Sequence, residues 1–318
     1  MGAYIIRRLV QAIPTLFLIT GIVFLVVYFI PGDPGAVILG QAATPDALAR
    51  IHHQMGLDDP LPIRYGRWLG DILTGDLGKS SISRQPVWTL LGRALPVTLY
   101  LTLLSVLIAL LISIPTGIIA ALKRNTWADV LCTTWALLGV SIPGFWLAIQ
   151  FVYLFGARLQ WVPLQGYIAP RDDFGASVRT MLLPALTLGV FLSGPLMRYL
   201  RSSVLQTLSQ EFVLVARAKG LAERRVLFGH VLRTSLIPFV TVLGIQLGYL
   251  LGGAVVIETV FTLPGVGYLA VSAINDRDYP VVQGVVLVVA IGFVLINILV
   301  DVMYSVLDPR IRVGHGGV

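Results

Sequence analysis

Four groups of residues carry types and spacings that could do chemistry. Gly78-Lys79-Ser80 reproduces the end of G-x-x-x-x-G-K-[ST], a loop whose backbone amides and lysine hold a nucleotide's phosphates. Leu73 stands where the first glycine belongs, so the cradle has no opening turn and the match is accidental. His52 and His53 offer imidazoles to a metal. Adjacent residues leave a helix on different faces, and no cysteine or third histidine lies near them, so a solvated pair is the better reading. Gln150, Gln246, Asn297 and Asp301 interrupt apolar runs, where Gln150 and Gln246 could line a path for polar cargo and Asp301 sits close to an interface. The stretch from Glu211 to Arg225 mixes apolar, small and charged residues in a way that suits docking to another protein. No Ser–His–Asp arrangement and no acid/base carboxylate pair can be argued.

The elements holding these groups are dictated by composition. Of the 318 residues, 56% are hydrophobic and 12% charged, half the charged share of an ordinary soluble domain. The solvent for much of the chain is therefore lipid. Six runs have the roughly 20 apolar residues needed to cross a bilayer: Leu9 to Ile30, Pro96 to Leu122, Val130 to Phe155, Thr180 to Leu200, Ser235 to Ile257 and Val281 to Leu307. The first is too long for a cleaved signal and reads as a retained helix. Gly244, Gly248, Gly252 and Gly253 in the fifth read as close-packing positions. Pro184, Pro195 and the Ser141-Ile142-Pro143-Gly144 stretch should kink their helices.

Charge sets the orientation. Thirteen of the 23 Lys and Arg residues fall in the pieces that are inside if the N-terminus is inside, although the outside pieces are longer. Both termini are then cytoplasmic. The net charge of +7 lies beside apolar runs, with no basic stripe that would read nucleic acid. The lone Cys132 excludes a disulfide framework. Residues 1–95 form the first spanning helix and an external loop, in which Asp46 to Met55 is helical. That loop is too poor in apolar residues to fold alone and should lie on the membrane domain. Residues 96–307 form a five-helix core interrupted by a cytoplasmic loop near 201–234, and residues 308–318 form a tail.

Within that loop Leu205, Leu208, Phe212 and Val215 recur at near-helical spacing. Ala216 and Ala218 lead to Gly220, which can take the left-handed conformation that ends a helix. A second short helix, Ala222 to Leu232, should follow. Spacing alone leaves two readings open: a solvated positive-inside loop, or an elbow presenting small and charged residues to a partner.

The run Glu211-Phe-Val-Leu-Val-Ala-Arg-Ala-Lys-Gly-Leu221 resembles the cytoplasmic signature of binding-protein-dependent ABC importer permeases, in the form of the dipeptide, oligopeptide, glutathione and nickel group. Six further matches occur in order: Pro31-Gly-Asp-Pro34, Gly56-Leu-Asp58, Gly75-Asp-Leu-Gly78, Arg201-Ser-Ser203, Arg277-Asp-Tyr-Pro-Val-Val-Gln-Gly284 and Asp308-Pro-Arg-Ile-Arg312. The chain departs from the pattern at Leu214-Val215 and at Thr234.

The resemblance implies an all-α integral membrane bundle of about six transmembrane helices, of the type I ABC importer permease kind, in a bacterial inner membrane. It implies that Glu211, Ala216, Arg217, Ala218, Lys219 and Gly220 contact an ATPase. The implied partners are a second, similar permease, two cytoplasmic ATP-binding subunits or domains, and an external substrate-binding protein. ATP and magnesium would be used by those partners, and this chain would bind no cofactor and catalyse nothing itself. Peptides are the implied cargo, with glutathione and nickel as alternatives. An ion-driven carrier is the competing class, and it would want ionisable groups at mid-membrane.

Overall fold

Inside a bilayer the backbone has no water to bond, so an apolar chain must satisfy its amides and carbonyls within helices. The computed structural model describes residues 2–29, 34–39, 43–54, 56–163 and 166–307. Among these residues the regular elements are helical, with one isolated bridge between Lys79 and Pro86. In chain order they are α1 (Gly2–Phe29), α2 (Pro34–Leu39), α3 (Pro45–Gln54), α4 (Leu61–Leu73), α5 (Val87–Leu122), α6 (Trp127–Ser141) and α7 (Gly144–Phe151). The last of these continues as a π-helix over Val152–Arg158. Then come α8 (Phe174–Leu208), α9 (Glu211–Ala218) and α10 (Glu223–Arg225), which runs through a π-helical Val226–Val231 into α11 (Leu232–Val260). Two helices, α12 (Val266–Asn275) and α13 (Tyr279–Leu307), complete the described chain.

Four of these stretches are long and apolar enough to cross a membrane: Val87–Leu122, Phe174–Leu208, Glu223–Leu250 and Tyr279–Val300. The pair Trp127–Ser141 and Gly144–Arg158 makes a fifth if it is one crossing. Helix α1 is 28 residues long and contains the apolar stretch Ile13–Leu25. The expected kink at Ser141–Gly144 is a break, and the two halves meet at 101°. Its cause is local. A proline disfavours the helical region for the residue before it, and Ile142 is extended (φ −85°, ψ 124°). Pro184 and Pro195, by contrast, sit within an unbroken α8.

The separate short helix expected over Ala222 to Leu232 does not form. No strong helix breaker lies between Glu223 and Leu232, and an isolated Gly229 is tolerated, so this segment is the opening of the α11 span. The Pro31-Gly32-Asp33 turn and the Asp308–Arg312 match lie outside the described residues. So does the side chain of Asp301, whose backbone belongs to α13.

The chain divides into two compact units. In the first, Met1–Thr98 with Pro264–Val294, α4 lies on α1: Tyr65 and Thr20 share a hydrogen bond of 2.9 Å, and Phe24 stacks edge-on against Tyr65. Leu77, Val87 and Leu91 form a core with Val266, Val281 and Val285. Gly284 permits this, because a Cβ there would run into Val87.

In the second unit, Leu99–Leu263 with Leu295–Val318, α8 is the central rod, 72% buried over its spanning window. Helices α6, α7 and α11 pack on it. The buried face of α5 repeats small residues every four positions, Ser105, Ala109, Ser113 and Gly117, and lets α8 approach closely. The glycines of α11 divide. Gly244 faces the side chain of Val300 with no room for a Cβ, whereas Gly252 faces open space.

Candidate functional site

The helix α8 ends at Leu208, and Gln210 is extended (φ −81°, ψ 148°), which turns the chain before α9 begins. This break resets the register. The expected apolar stripe through Leu208, Phe212 and Val215 does not continue: Val213 and Ala216 are the buried residues of α9, while Phe212, Leu214 and Val215 are exposed. Val213 and Ala216 join a core with Val204, Val226 and Val231. The short helix is thereby anchored by one side, with an apolar strip left outside.

The exit of α9 is a Schellman turn. Gly220 N–H donates to Arg217 C=O at 2.9 Å and Leu221 N–H to Ala216 C=O at 3.3 Å, which satisfies two terminal carbonyls. The turn requires φ of +74° at Gly220, where a side chain would be strained although nothing lies within 4 Å. Arg217 reaches across the turn to Glu223, with Nε donating to Oε2 at 3.2 Å. Of the six residues picked from the sequence, Glu211, Arg217, Ala218, Lys219 and Gly220 are exposed at one elbow. Ala216 is 7% exposed and faces the core.

Gln150 on α7 and Gln246 on α11 are half-buried, on two helices that pack against each other. The phosphate-loop fragment is accounted for structurally. The Ser80 hydroxyl donates to Asp278 and is 2% exposed, while Lys79 points to solvent. His53 pairs with Asp58 at 3.3 Å, and no cluster of three metal-ligating side chains occurs among the described residues.

The apolar helical bundle agrees with the comparisons. Residues 113–313 match the family described as the inner membrane component of binding-protein-dependent transport systems, and residues 1–102 match its N-terminal region. The chain belongs to this family. The permease is 42% identical over 312 residues to a Brucella abortus protein named as a peptide transport system permease, covering 98% of this chain and 99% of that one. It is 39% identical over 332 residues to the dipeptide transport system permease protein DppB of Alkalihalophilus pseudofirmus, covering 98% of this chain and all of the relative. It is 41% identical over 310 residues to the glutathione transport system permease protein GsiC of Salmonella paratyphi A, covering 97% and 98%. Its fold is similar to that of a chain in the inward-facing MetNI methionine ABC transporter. There the TM-score is 0.56 at 18% identity, over 69% of this chain and 96% of that one.

The permease is thus a multi-pass transport component of the inner membrane and not itself an enzyme. Its family also removes the ion-driven carrier from contention. One arrangement in it escaped the sequence reading. Arg201 on α8 makes two hydrogen bonds of 2.7 Å to the carboxylate of Asp129 on α6. The apolar run begins at Val130, so Asp129 falls just outside it. The available signal was Arg201 itself, an arginine in a matched motif within a long helix.

Proposed function

We propose that this permease forms, with a second similar subunit, the translocation path of an ATP-driven peptide importer, and that α9 couples the path to ATP hydrolysis. The observation that carries the reading is the exposed strip of α9, fixed by Val213 and Ala216 and continuous through two residues with the central rod α8. A strip so mounted transmits a push. One of two cytoplasmic ATP-binding subunits would grip Glu211, Leu214, Arg217, Ala218, Lys219 and Gly220, and the two would use ATP with magnesium. An external binding protein would deliver the cargo. Gln150 and Gln246 would offer amide groups to it along the path.

ATP can shift the helices from an inward to an outward opening only if it binds the two states differently. Closure of the ATPases around nucleotide supplies that difference, and α9 carries it to α8. Peptide cargo is supported by the relatives named for peptide and dipeptide transport. Glutathione, a tripeptide, is the second reading, supported by the 41% identical relative named for it.

The test is Gly220→Leu in the reconstituted complex. A side chain in the left-handed region costs about 1–2 kcal/mol and reshapes the turn without touching a spanning helix. Membrane insertion should be retained, and substrate-stimulated ATP hydrolysis lost. Normal stimulation and uptake by that variant would overturn the role of the elbow.

A further inference from the structure

We infer that Asp129 and Arg201 are the positioning pair that makes α6 travel with α8, so that motion received at α9 reaches the bent α6–α7 segment. This rests on the coupling role proposed for α9. The geometry is specific. The Asp129 side chain is 8% exposed and its two oxygens take the planar fork of Arg201, Oδ1 from Nε and Oδ2 from Nη2, both at 2.7 Å. The backbone N–H of Asn125 donates to Oδ2 at 3.0 Å and the Thr133 hydroxyl to Oδ1 at 3.2 Å. Every lone pair of the carboxylate that faces the protein is used. Such a pair, with its carboxylate buried and bonded at both oxygens and its guanidinium 27% exposed, fixes orientation and register more than it adds net stability.

Position gives the pair its consequence. Arg201 lies two turns before the end of α8, and α9 follows through Ser209 and Gln210. Asp129 opens α6, whose far end is the 101° break into α7, the helix bearing Gln150. Further along, α6 and α8 touch through Gly194 and the carbonyl of Ala136, and through Met197 and Ala136, with Ala120 of α5 in the same cluster. These contacts are close and apolar, with no polar group to set a register. The ion pair adds a directional one.

The experiment compares the assembled complex carrying Asp129→Asn, Arg201→Gln, Arg201→Lys or the exchange Asp129→Arg with Arg201→Asp. Two quantities are read in proteoliposomes: labelled dipeptide imported per ATP hydrolysed, and the distance between spin labels at Leu131 on α6 and Gln206 on α8, with Cys132 replaced, in nucleotide-free and ATP-trapped states. The neutral variants should assemble normally, broaden the label distance on ATP trapping, and lower import per ATP about tenfold, within the range of ordinary coupling free energies. Arg201→Lys should fall between, because an ammonium cannot supply the fork. The exchange should restore part of both quantities. An unchanged distance and import ratio in the neutral variants would overturn the inference, as would a loss that merely follows the amount of complex recovered. Label distances need no transported cargo, so failure of the peptide reading leaves this test standing. A Gly220→Leu complex with normal stimulation would instead indict the coupling role of α9.

Discussion

The Ser80 hydroxyl donates a hydrogen bond to the carboxylate of Asp278, 198 residues further along the chain, and both side chains are buried. Asp278 also accepts from the backbone N–H of Ser81 at 3.0 Å. Two short motifs, Gly75–Gly78 with its following turn and Arg277–Gly284, are thereby joined in one small core. Asp278→Ala should orphan the buried Ser80 hydroxyl and the half-buried Ser81 N–H, and cost about 1–3 kcal/mol. Thermal unfolding of the purified permease in detergent measures this, and Ser80→Ala should cost less than Asp278→Ala.

Gly244 and Gly252 provide a matched comparison within α11. A Cβ at Gly244 would drive into Val300, whereas one at Gly252 would meet nothing within 4 Å. Gly244→Val should destabilise by about 1–3 kcal/mol through overpacking, and Gly252→Ala should be close to neutral. The yield of monodisperse protein after extraction, followed by its melting midpoint, separates the two.

Arg217 and Glu223 hold hands across the elbow in water. Their side chains are 41% and 65% exposed, so the pair is screened and each partner keeps its hydration. Glu223→Gln should leave stability almost unchanged, and 1 M salt should erase what difference there is. Melting of wild type and variant at low and high salt checks it.

Hydropathy made the spanning helices legible, since each core run needed only length and apolar content. Its failures were local or distant. Pro143 announced a disturbance, but a proline can either kink a helix or break it, and apolar content does not say which. The helix break at Gln210 was hidden because apolar spacing runs through it from Leu205 to Val215. The stripe read from spacing is therefore not the buried face of α9, which is Val213 and Ala216. The pairing of Asp129 with Arg201 spans 72 residues, and no local pattern encodes such a meeting. The glycine at 220 was legible because few other residues accept its backbone conformation.

The central claim is that α9 is gripped from the cytoplasm by an ATP-binding subunit. A photo-crosslinking residue in place of Leu214, which is 59% exposed on α9, tests it in the intact complex in sealed inverted membranes. The account requires irradiation to join the permease to the ATP-binding subunit, with a yield that changes when ATP is trapped. Crosslinks confined to lipid or to the external binding protein would contradict it.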